Sequence, residues 1–178
     1  EKNKFTLTDV INSQRIKLIE RHPHIYGDVK VNDVKDVKRN WELLKLKEKN
    51  KKSILSGVPK SLPTMLKSYR ILEKVKGVGF DFENSNESFN KVIEEIHEFN
   101  LELNNNNHDK ASDEFGDILF ALISYAQNLG INAVNALEKT NKKFIKRFHK
   151  MEEFIAKDNK HISDYSKKEL NSIWNNKD

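Results

Sequence analysis

The chain of 178 residues contains no cysteine, only three prolines and only six glycines. Without cysteine it can have no disulfide framework, no thiolate metal site and no cysteine nucleophile. The sequence also lacks an apolar run of the roughly 20 residues that a membrane-spanning helix needs, so we expect no membrane partner. Because proline and glycine are scarce while lysine, glutamate, leucine and isoleucine are common, the composition favours an all-α protein.

Several familiar site motifs are also missing. The GVGF segment at residues 77–80 is too short for a phosphate-binding loop and lacks the Lys-Ser/Thr pair that follows one. The six histidines are scattered without a spacing typical of zinc ligands, and we interpret them as structural or surface residues. No Ser/His/Asp arrangement is readable in the sequence.

Positive charge exceeds negative charge, with 32 basic and 27 acidic residues and a net charge of +5. The basic residues are spread along the chain and surround an acidic centre. A small polyphosphate substrate explains this distribution more economically than nucleic acid does, so nucleic acid is not the expected partner. The absence of cysteine is compatible with a cytoplasmic location, which is the expectation for this chain.

Apolar periodicity and capping residues predict an antiparallel helical bundle. The predicted helices cover residues 6–22, 33–49, 64–76, 88–103, 109–129, 132–157 and 166–175. Thr8 and Asp109 are the expected N-caps of the first and fifth helices, and Pro23 and Gly130 are expected to end these helices. A turn of asparagines joins the fourth helix to the fifth, so the two should lie antiparallel.

Two acidic clusters lie inside this predicted hairpin, Glu-Glu-x-x-Glu at residues 94–98 and Glu-x-x-Asp at residues 114–117. Residues three apart share a helix face, so each cluster directs two carboxylates the same way. Two carboxylates about 5 Å apart repel by roughly 3 kcal/mol at an effective dielectric near 20. A hard divalent cation would offset that repulsion, and Mg²⁺ fits best, with Mn²⁺ as the alternative. The predicted metal ligands are Glu95, Glu98, Glu114 and Asp117.

A solvated helix face is the ordinary explanation for acidic residues, and it is the better interpretation of Glu94 alone. For the set of four we prefer the metal site. Asp117 directly precedes the apolar run ILFALI and Glu114 neighbours Phe115, where unbalanced charge is costly.

A basic pair lies further along the chain, in the segment NKKFIKRF. Lys143 and Arg147 are four residues apart and share one helix face, with Asn141 just before them. A solvated basic stripe is the ordinary explanation, but a metal site nearby favours phosphate contacts, because anionic phosphates need both metal and Lys or Arg. Lys74 and Lys76, before the glycine loop, are further candidates.

A weak internal repeat bears on the domain organisation. KLIER at residues 17–21 resembles KFIKR at residues 143–147. Together with the start at Glu1, this predicts that residues 1–50 are the helical tail of an upstream unit of a longer protein. Residues 51–63, rich in Lys, Ser, Gly and Pro, are the expected linker, and residues 64–178 the expected catalytic domain.

The segment LPTMLKSYRILEKVKGVGFDF, followed by EEIHE, EFGDILFAL, NKKFIKRF and ELNSIW, closely resembles the C-terminal domain of MazG-type nucleoside triphosphate pyrophosphohydrolases. The resemblance covers about residues 55–178, and residues 1–50 are similar to the end of the preceding domain in two-domain members. It implies an all-α bundle that works as a homodimer or higher homo-oligomer. It also implies Mg²⁺-dependent hydrolysis of NTPs or dNTPs to the nucleoside monophosphate and pyrophosphate.

The resemblance also implies roles for individual residues. It assigns the four carboxylates as metal ligands and Lys143 and Arg147 as phosphate contacts. The expected catalytic residues are Glu95, Glu98, Lys143 and Arg147. The expected substrate contacts, from pattern and resemblance together, are Lys74, Phe82, Asn141, Lys143 and Arg147. Phe82 stands where relatives usually show tryptophan, which keeps a stacking surface but loses the indole N–H.

Two alternatives stay open at this point. One is a narrower pyrophosphohydrolase, for example one restricted to dUTP and dCTP. The other is a non-catalytic regulatory or oligomerisation module, against which the complete set of four carboxylates argues.

Overall fold

A computed structural model describes residues 4–31, 33, 36–37, 40–41, 43–44, 53–157 and 161–175. Across these residues the chain forms helices and no β-strand, which confirms the all-α prediction. The α-helices are α1 (Leu7–Arg21), α2 (Pro23–Tyr26), α3 (Thr64–Lys76), α4 (Ser85–Asn104), α5 (His108–Asn128), α6 (Ala133–Lys157) and α7 (Lys167–Asn175). Two short 3₁₀ helices span Ile54–Gly57 and Ile162–Asp164. The helix predicted for residues 33–49 lies mostly outside the described residues.

The chain divides into two compact units, Glu1–Asn128 and Leu129–Asp178. The first unit contains the paired helices α4 and α5, and the second contains α6 with α7. The division into residues 1–50, 51–63 and 64–178 stays a prediction. No helix in the described part of the chain is both long and apolar enough to span a membrane.

The start of α1 differs from the prediction. Thr6 caps this helix, because its Oγ1 accepts a hydrogen bond from the Asp9 N–H at 3.2 Å while Asp9 Oδ2 accepts one from the Thr6 N–H at 2.8 Å. Thr8, the predicted cap, lies inside the first turn and is wrong as the cap. The reciprocal pair satisfies two amide groups at the helix start, and this favours Thr6 over its neighbour.

Asparagine side chains precede both helices of the hairpin. Asn84 Oδ1 accepts from the Glu87 N–H at 3.0 Å, so α4 begins three residues before the predicted start. Asn107 Oδ1 accepts from the Lys110 N–H at 3.5 Å directly before α5, so the predicted cap at Asp109 is also wrong. The first turn of a helix is capped by a nearby side chain that accepts hydrogen bonds from its free amide groups, and asparagine is among the residues preferred for this role.

The hairpin of α4 and α5 is the core of the first unit. Small and branched side chains are buried along it, namely Val92, Ala111, Ile118 and Ala121. Helix α3 packs against α5, with Gln127 Nε2 donating to the Tyr69 carbonyl at 3.0 Å. In the turn between α4 and α5, Asn106 has a left-handed backbone with φ 54°, a conformation that asparagine tolerates better than most residues. The hairpin therefore runs antiparallel through a short turn, as predicted.

The second unit is organised around α6. Met151 and Ile155 are its buried residues, and the Phe144 ring lies 6.3 Å from that of Phe148 and 5.0 Å from that of Trp174 in α7. These aromatic contacts hold the two helices of this unit together.

Ile155→Ala should lower the free energy of unfolding by about 3 kcal/mol, since truncating a buried isoleucine leaves a cavity. Ile155 is 2% exposed, whereas Ile145 on the same helix is 52% exposed. The same substitution at Ile145 should therefore cost less than about 1 kcal/mol. Urea unfolding followed by far-UV circular dichroism measures both. Equal losses would contradict the core position of Ile155.

Candidate metal centre

Carboxylates from both helices of the hairpin meet at one place. One carboxylate oxygen each of Glu95, Glu98 and Glu114 lies within 4.8 Å of the others. The first two come from α4 and the third from α5, because residues three apart share a helix face and the helices are paired. The structure thus brings together three of the four carboxylates that the sequence singled out, and we call them the carboxylate group. Their role as metal ligands stays a prediction.

The fourth predicted ligand, Asp117, lies on α5 one turn after Glu114 and is exposed. It is outside the carboxylate group as the structure has it. Its negative charge nevertheless contributes to raising the pKa of Glu114. Asp117 therefore lies at the edge of this acidic region, and its role as a ligand stays a prediction.

Glu95 is the most enclosed member of the carboxylate group, at 6% exposed. Its Oε1 lies 2.9 Å from the Nζ of Lys91, one helical turn earlier on α4. The same ammonium lies 2.6 Å from Oε1 of Glu94. The pKa of Lys91 is raised, chiefly by its hydrogen bond to Glu94 and next by that to Glu95. Sequence reasoning missed Lys91, although its spacing of three and four residues from the two glutamates was the available signal.

The surroundings of Glu114 raise the pKa of its carboxyl group. It is half-buried, and burial raises the pKa of Glu114 above its usual value. Further increases come from the negative charges of Glu98, Asp117, Glu95 and Glu102, in that order. A carboxyl group whose charged form is disfavoured in this way is stabilised by a proton or by a cation.

The carboxylate group fits a hard divalent ion. All of its donors are oxygen atoms, which Mg²⁺ and Mn²⁺ prefer. In an octahedral shell with metal–oxygen distances of about 2.1 Å, oxygen ligands lie roughly 3.0 to 4.2 Å apart. The oxygens of the carboxylate group, within 4.8 Å of one another, need only small side-chain rotations to reach that spacing. The raised pKa of Glu114 marks the negative charge that such an ion would neutralise.

The predicted substrate contacts in the first unit are Lys74 and Phe82. Lys74 is 5% exposed on α3, and Phe82 is half-buried in the loop after α3, where its N–H donates to Asp81 Oδ1 at 2.9 Å. Asp81 Oδ1 also lies 3.1 Å from the Nζ of Lys76, which in turn donates to the side chain of Asn128 at the end of α5. Lys76 thus ties the glycine loop to the hairpin, while the roles of Lys74 and Phe82 stay predictions.

The predicted substrate contacts in the second unit lie on α6. Asn141 and Lys143 are exposed and Arg147 is half-buried. The Arg147 guanidinium lies 4.6 Å from the centre of the Trp174 ring, and its Nη2 donates to the Trp174 carbonyl at 3.3 Å. This contact joins α6 to α7, and sequence reasoning missed it because the residues are 27 positions apart. The phosphate-binding roles of these residues stay predictions.

The fold and the carboxylate group define a class of protein. Its members are all-α, and two antiparallel helices present acidic side chains that suit a divalent ion. A family model described as the MazG nucleotide pyrophosphohydrolase domain matches residues 84–151, which include both helices of the hairpin. The chain belongs to this MazG family, and several relatives are named nucleoside triphosphate pyrophosphohydrolases, which are hydrolases acting on acid anhydrides. The resemblance inferred from the sequence is thereby confirmed.

Three relatives establish the extent of the similarity. The nucleoside triphosphate pyrophosphohydrolase of Escherichia coli (strain K12) is 32% identical over 179 residues, which cover 98% of this chain and 68% of that protein. The nucleoside triphosphate pyrophosphohydrolase/pyrophosphatase MazG of Thermotoga maritima is 34% identical over 176 residues, covering 98% of this chain and 66% of that protein. The uncharacterized protein YabN of Bacillus subtilis is 40% identical over 184 residues, covering 96% of this chain and 36% of that protein.

Glu114→Gln should stabilise the metal-free protein at neutral pH, because it removes a half-buried charge that repels its neighbours. The pKa of Glu114 is raised from 4.5, so its unfavourable contribution is full above the folded-state pKa and is lost as the pH falls towards 4.5. The Tm advantage of the variant in EDTA should therefore be present at pH 8 and absent near pH 4. Differential scanning fluorimetry across this range measures it.

Asp113→Asn is the matched control, since Asp113 is an exposed neighbour on the same helix and outside the carboxylate group. This variant should show a Tm close to that of the wild type throughout. A Glu114→Gln protein that is less stable than the wild type in EDTA at pH 8 would contradict the repulsion described here.

Proposed function

We propose that this chain hydrolyses nucleoside triphosphates or deoxynucleoside triphosphates at the α-phosphorus, giving the nucleoside monophosphate and pyrophosphate, with Mg²⁺ held by the carboxylate group. The observation that carries the proposal is the meeting of Glu95, Glu98 and Glu114 between α4 and α5. Membership of the MazG family supports the reaction type. Among relatives, the Escherichia coli protein is named a nucleoside triphosphate pyrophosphohydrolase.

The reaction assigns each group a chemical task. Glu95, Glu98 and Glu114 would hold Mg²⁺, which would neutralise charge on the triphosphate and act as a Lewis acid towards a water molecule. A glutamate of the first acidic cluster accepts the proton of the attacking water. A new P–O bond forms at the α-phosphorus, the bond from that phosphorus to the α–β bridging oxygen breaks, and pyrophosphate leaves. Lys143 and Arg147 balance negative charge on the phosphates.

A narrower range of nucleotides, such as dUTP and dCTP, is the alternative within the same chemistry. A panel of NTPs and dNTPs, assayed for monophosphate and pyrophosphate with and without Mg²⁺, separates the two. Turnover of most nucleotides supports the broad activity, and turnover of one or two pyrimidine nucleotides supports the narrow one. No turnover of any nucleotide would favour a non-catalytic module.

A cytoplasmic location remains part of the proposal.

We also propose that the protein works as a homodimer or higher homo-oligomer through the other side of the hairpin. Five large apolar side chains there are between 39% and 50% exposed, namely Ile93 and Ile96 of α4 and Phe115, Leu119 and Leu122 of α5. Four of them directly follow a buried residue of their helix, and Phe115 follows the half-buried Glu114. Because the helices are antiparallel, the two sets lie on the same side of the hairpin, away from Glu98 and Asp117. A second copy of this face would remove them from water.

Glu98→Gln should reduce Mg²⁺-dependent pyrophosphate release at least about 100-fold, because it removes a ligand charge while keeping the side-chain shape. The far-UV circular dichroism spectrum should stay unchanged. Glu138→Gln, an exposed glutamate of α6 with an ordinary ion pair to Lys142, is the control and should keep full turnover. Wild-type turnover in the Glu98 variant would refute the proposed metal centre.

Leu119→Lys should dissociate the oligomer, because a charge in the middle of the proposed interface would have to be buried. Size-exclusion chromatography with light scattering should then give the monomer mass of 20.8 kDa. Leu137→Lys is the matched control, since Leu137 is similarly exposed on α6 and outside the proposed interface. A wild-type protein that already elutes as a monomer at micromolar concentration would contradict the interface.

A further inference from the structure

Lys91 bridges two acidic residues at the edge of the carboxylate group. Its Nζ lies 2.6 Å from Glu94 Oε1 and 2.9 Å from Glu95 Oε1. Glu94 is exposed and lies outside the carboxylate group, whereas Glu95 is buried and lies inside it. The ammonium therefore connects an ordinary surface glutamate to the least solvated carboxylate of the centre.

This contact differs from an ordinary ion pair on a helix surface. In the Glu138–Lys142 pair of α6 the side chains are 55% and 74% exposed and 3.4 Å apart, so water already solvates both charges. At Glu95 water is largely excluded, and two further carboxylates lie within 4.8 Å. Burying a carboxylate without a partner costs free energy. The Lys91 ammonium therefore stabilises the charge of Glu95, as water does for an exposed carboxylate.

We propose that Lys91 is the built-in counter-cation of the metal-free centre. Its ammonium holds Glu95 in place and balances part of the negative charge of the carboxylate group until a divalent ion binds. Glu94 anchors the ammonium from the solvent side. The inference rests on the proposed metal centre and deepens it by assigning a positioning residue that does not itself contact the substrate.

A consequence for metal affinity follows from Coulomb's law. The ammonium that stabilises the metal-free centre also repels an incoming divalent ion, so it lowers the affinity for free Mg²⁺. Because its side chain is 38% exposed, solvent screens this repulsion only in part. A metal ion that is already bound to a triphosphate is accompanied by the negative charge of that triphosphate. The Lys91 ammonium therefore repels this complex less than it repels the free ion.

Lys91→Met, which keeps the length of the side chain and removes its charge, tests the proposal on the full chain. In EDTA its Tm should fall below that of the wild type, because Glu95 loses its partner. In calorimetric titration with MgCl₂ it should bind at least about threefold more tightly, since a repelling charge is gone. The Tm gain on adding Mg²⁺ should also exceed that of the wild type. A merely structural role would lower the Tm equally with and without metal and would not tighten binding.

Two further variants complete the experiment. Lys91→Arg retains the charge and should restore the Tm in EDTA and the Mg²⁺ affinity to near wild-type values. Lys142→Met removes the lysine of the exposed pair on α6 and should change neither quantity. An Mg²⁺ affinity in the Lys91→Met protein equal to or weaker than that of the wild type would overturn the proposal while leaving the proposed function intact. A wild-type protein that binds no Mg²⁺ would instead overturn the metal centre and the counter-cation together.

Discussion

Repulsion among three carboxylates, held within 4.8 Å of one another between α4 and α5, is the constraint on which the rest of this structure depends. Packing of the apolar hairpin keeps them there, because separating the acids would require separating Val92 and Ile118 from the core. Burial, followed by this repulsion, raises the pKa of Glu114, and the Lys91 ammonium lies beside Glu95 and offsets part of the negative charge. Stability and metal binding are therefore linked at one place, since whatever neutralises the acids also stabilises the hairpin.

The hairpin has two different sides, and one geometric rule produces both. A step of one residue along a helix turns the side chain by about 100°. The residue directly after a buried position therefore faces one side of the helix pair, and the residue directly before it faces the other side. The apolar residues of the proposed interface lie to one side of the buried stripe, Glu95 lies within that stripe, and Asp117, directly before the buried Ile118, lies to the other side. Because α4 and α5 run in opposite directions, Glu98 and Asp117 share one side and these apolar residues the other. The proposed chemistry and the proposed self-association can thus use one hairpin without competing for surface.

Features that depend on near neighbours in the chain were predictable, and those that depend on distant ones were not. The i, i+3 spacing of Glu95 and Glu98 predicted a common face, and the short turn predicted the antiparallel partner that brings Glu114 to them. Helix caps were misplaced by two residues, because Thr6 and Thr8 are equally good caps until the position of Asp9 decides between them. The Arg147–Trp174 contact and the burial of Lys74 arise only from tertiary packing, which spacing does not encode.

The short turn at Asn105–Asn107 has a consequence for how the gene encoding this fold can change in length. A single codon gained or lost between Glu98 and the turn would rotate the first acidic cluster by about 100° relative to the second, and its carboxylates would no longer meet that of Glu114. A change of length in the segment between α3 and α4 would leave the phase between the two acidic clusters unchanged, because that segment lies outside the hairpin. Insertions and deletions should therefore be selected against within the two helices of the hairpin and in the turn that joins them.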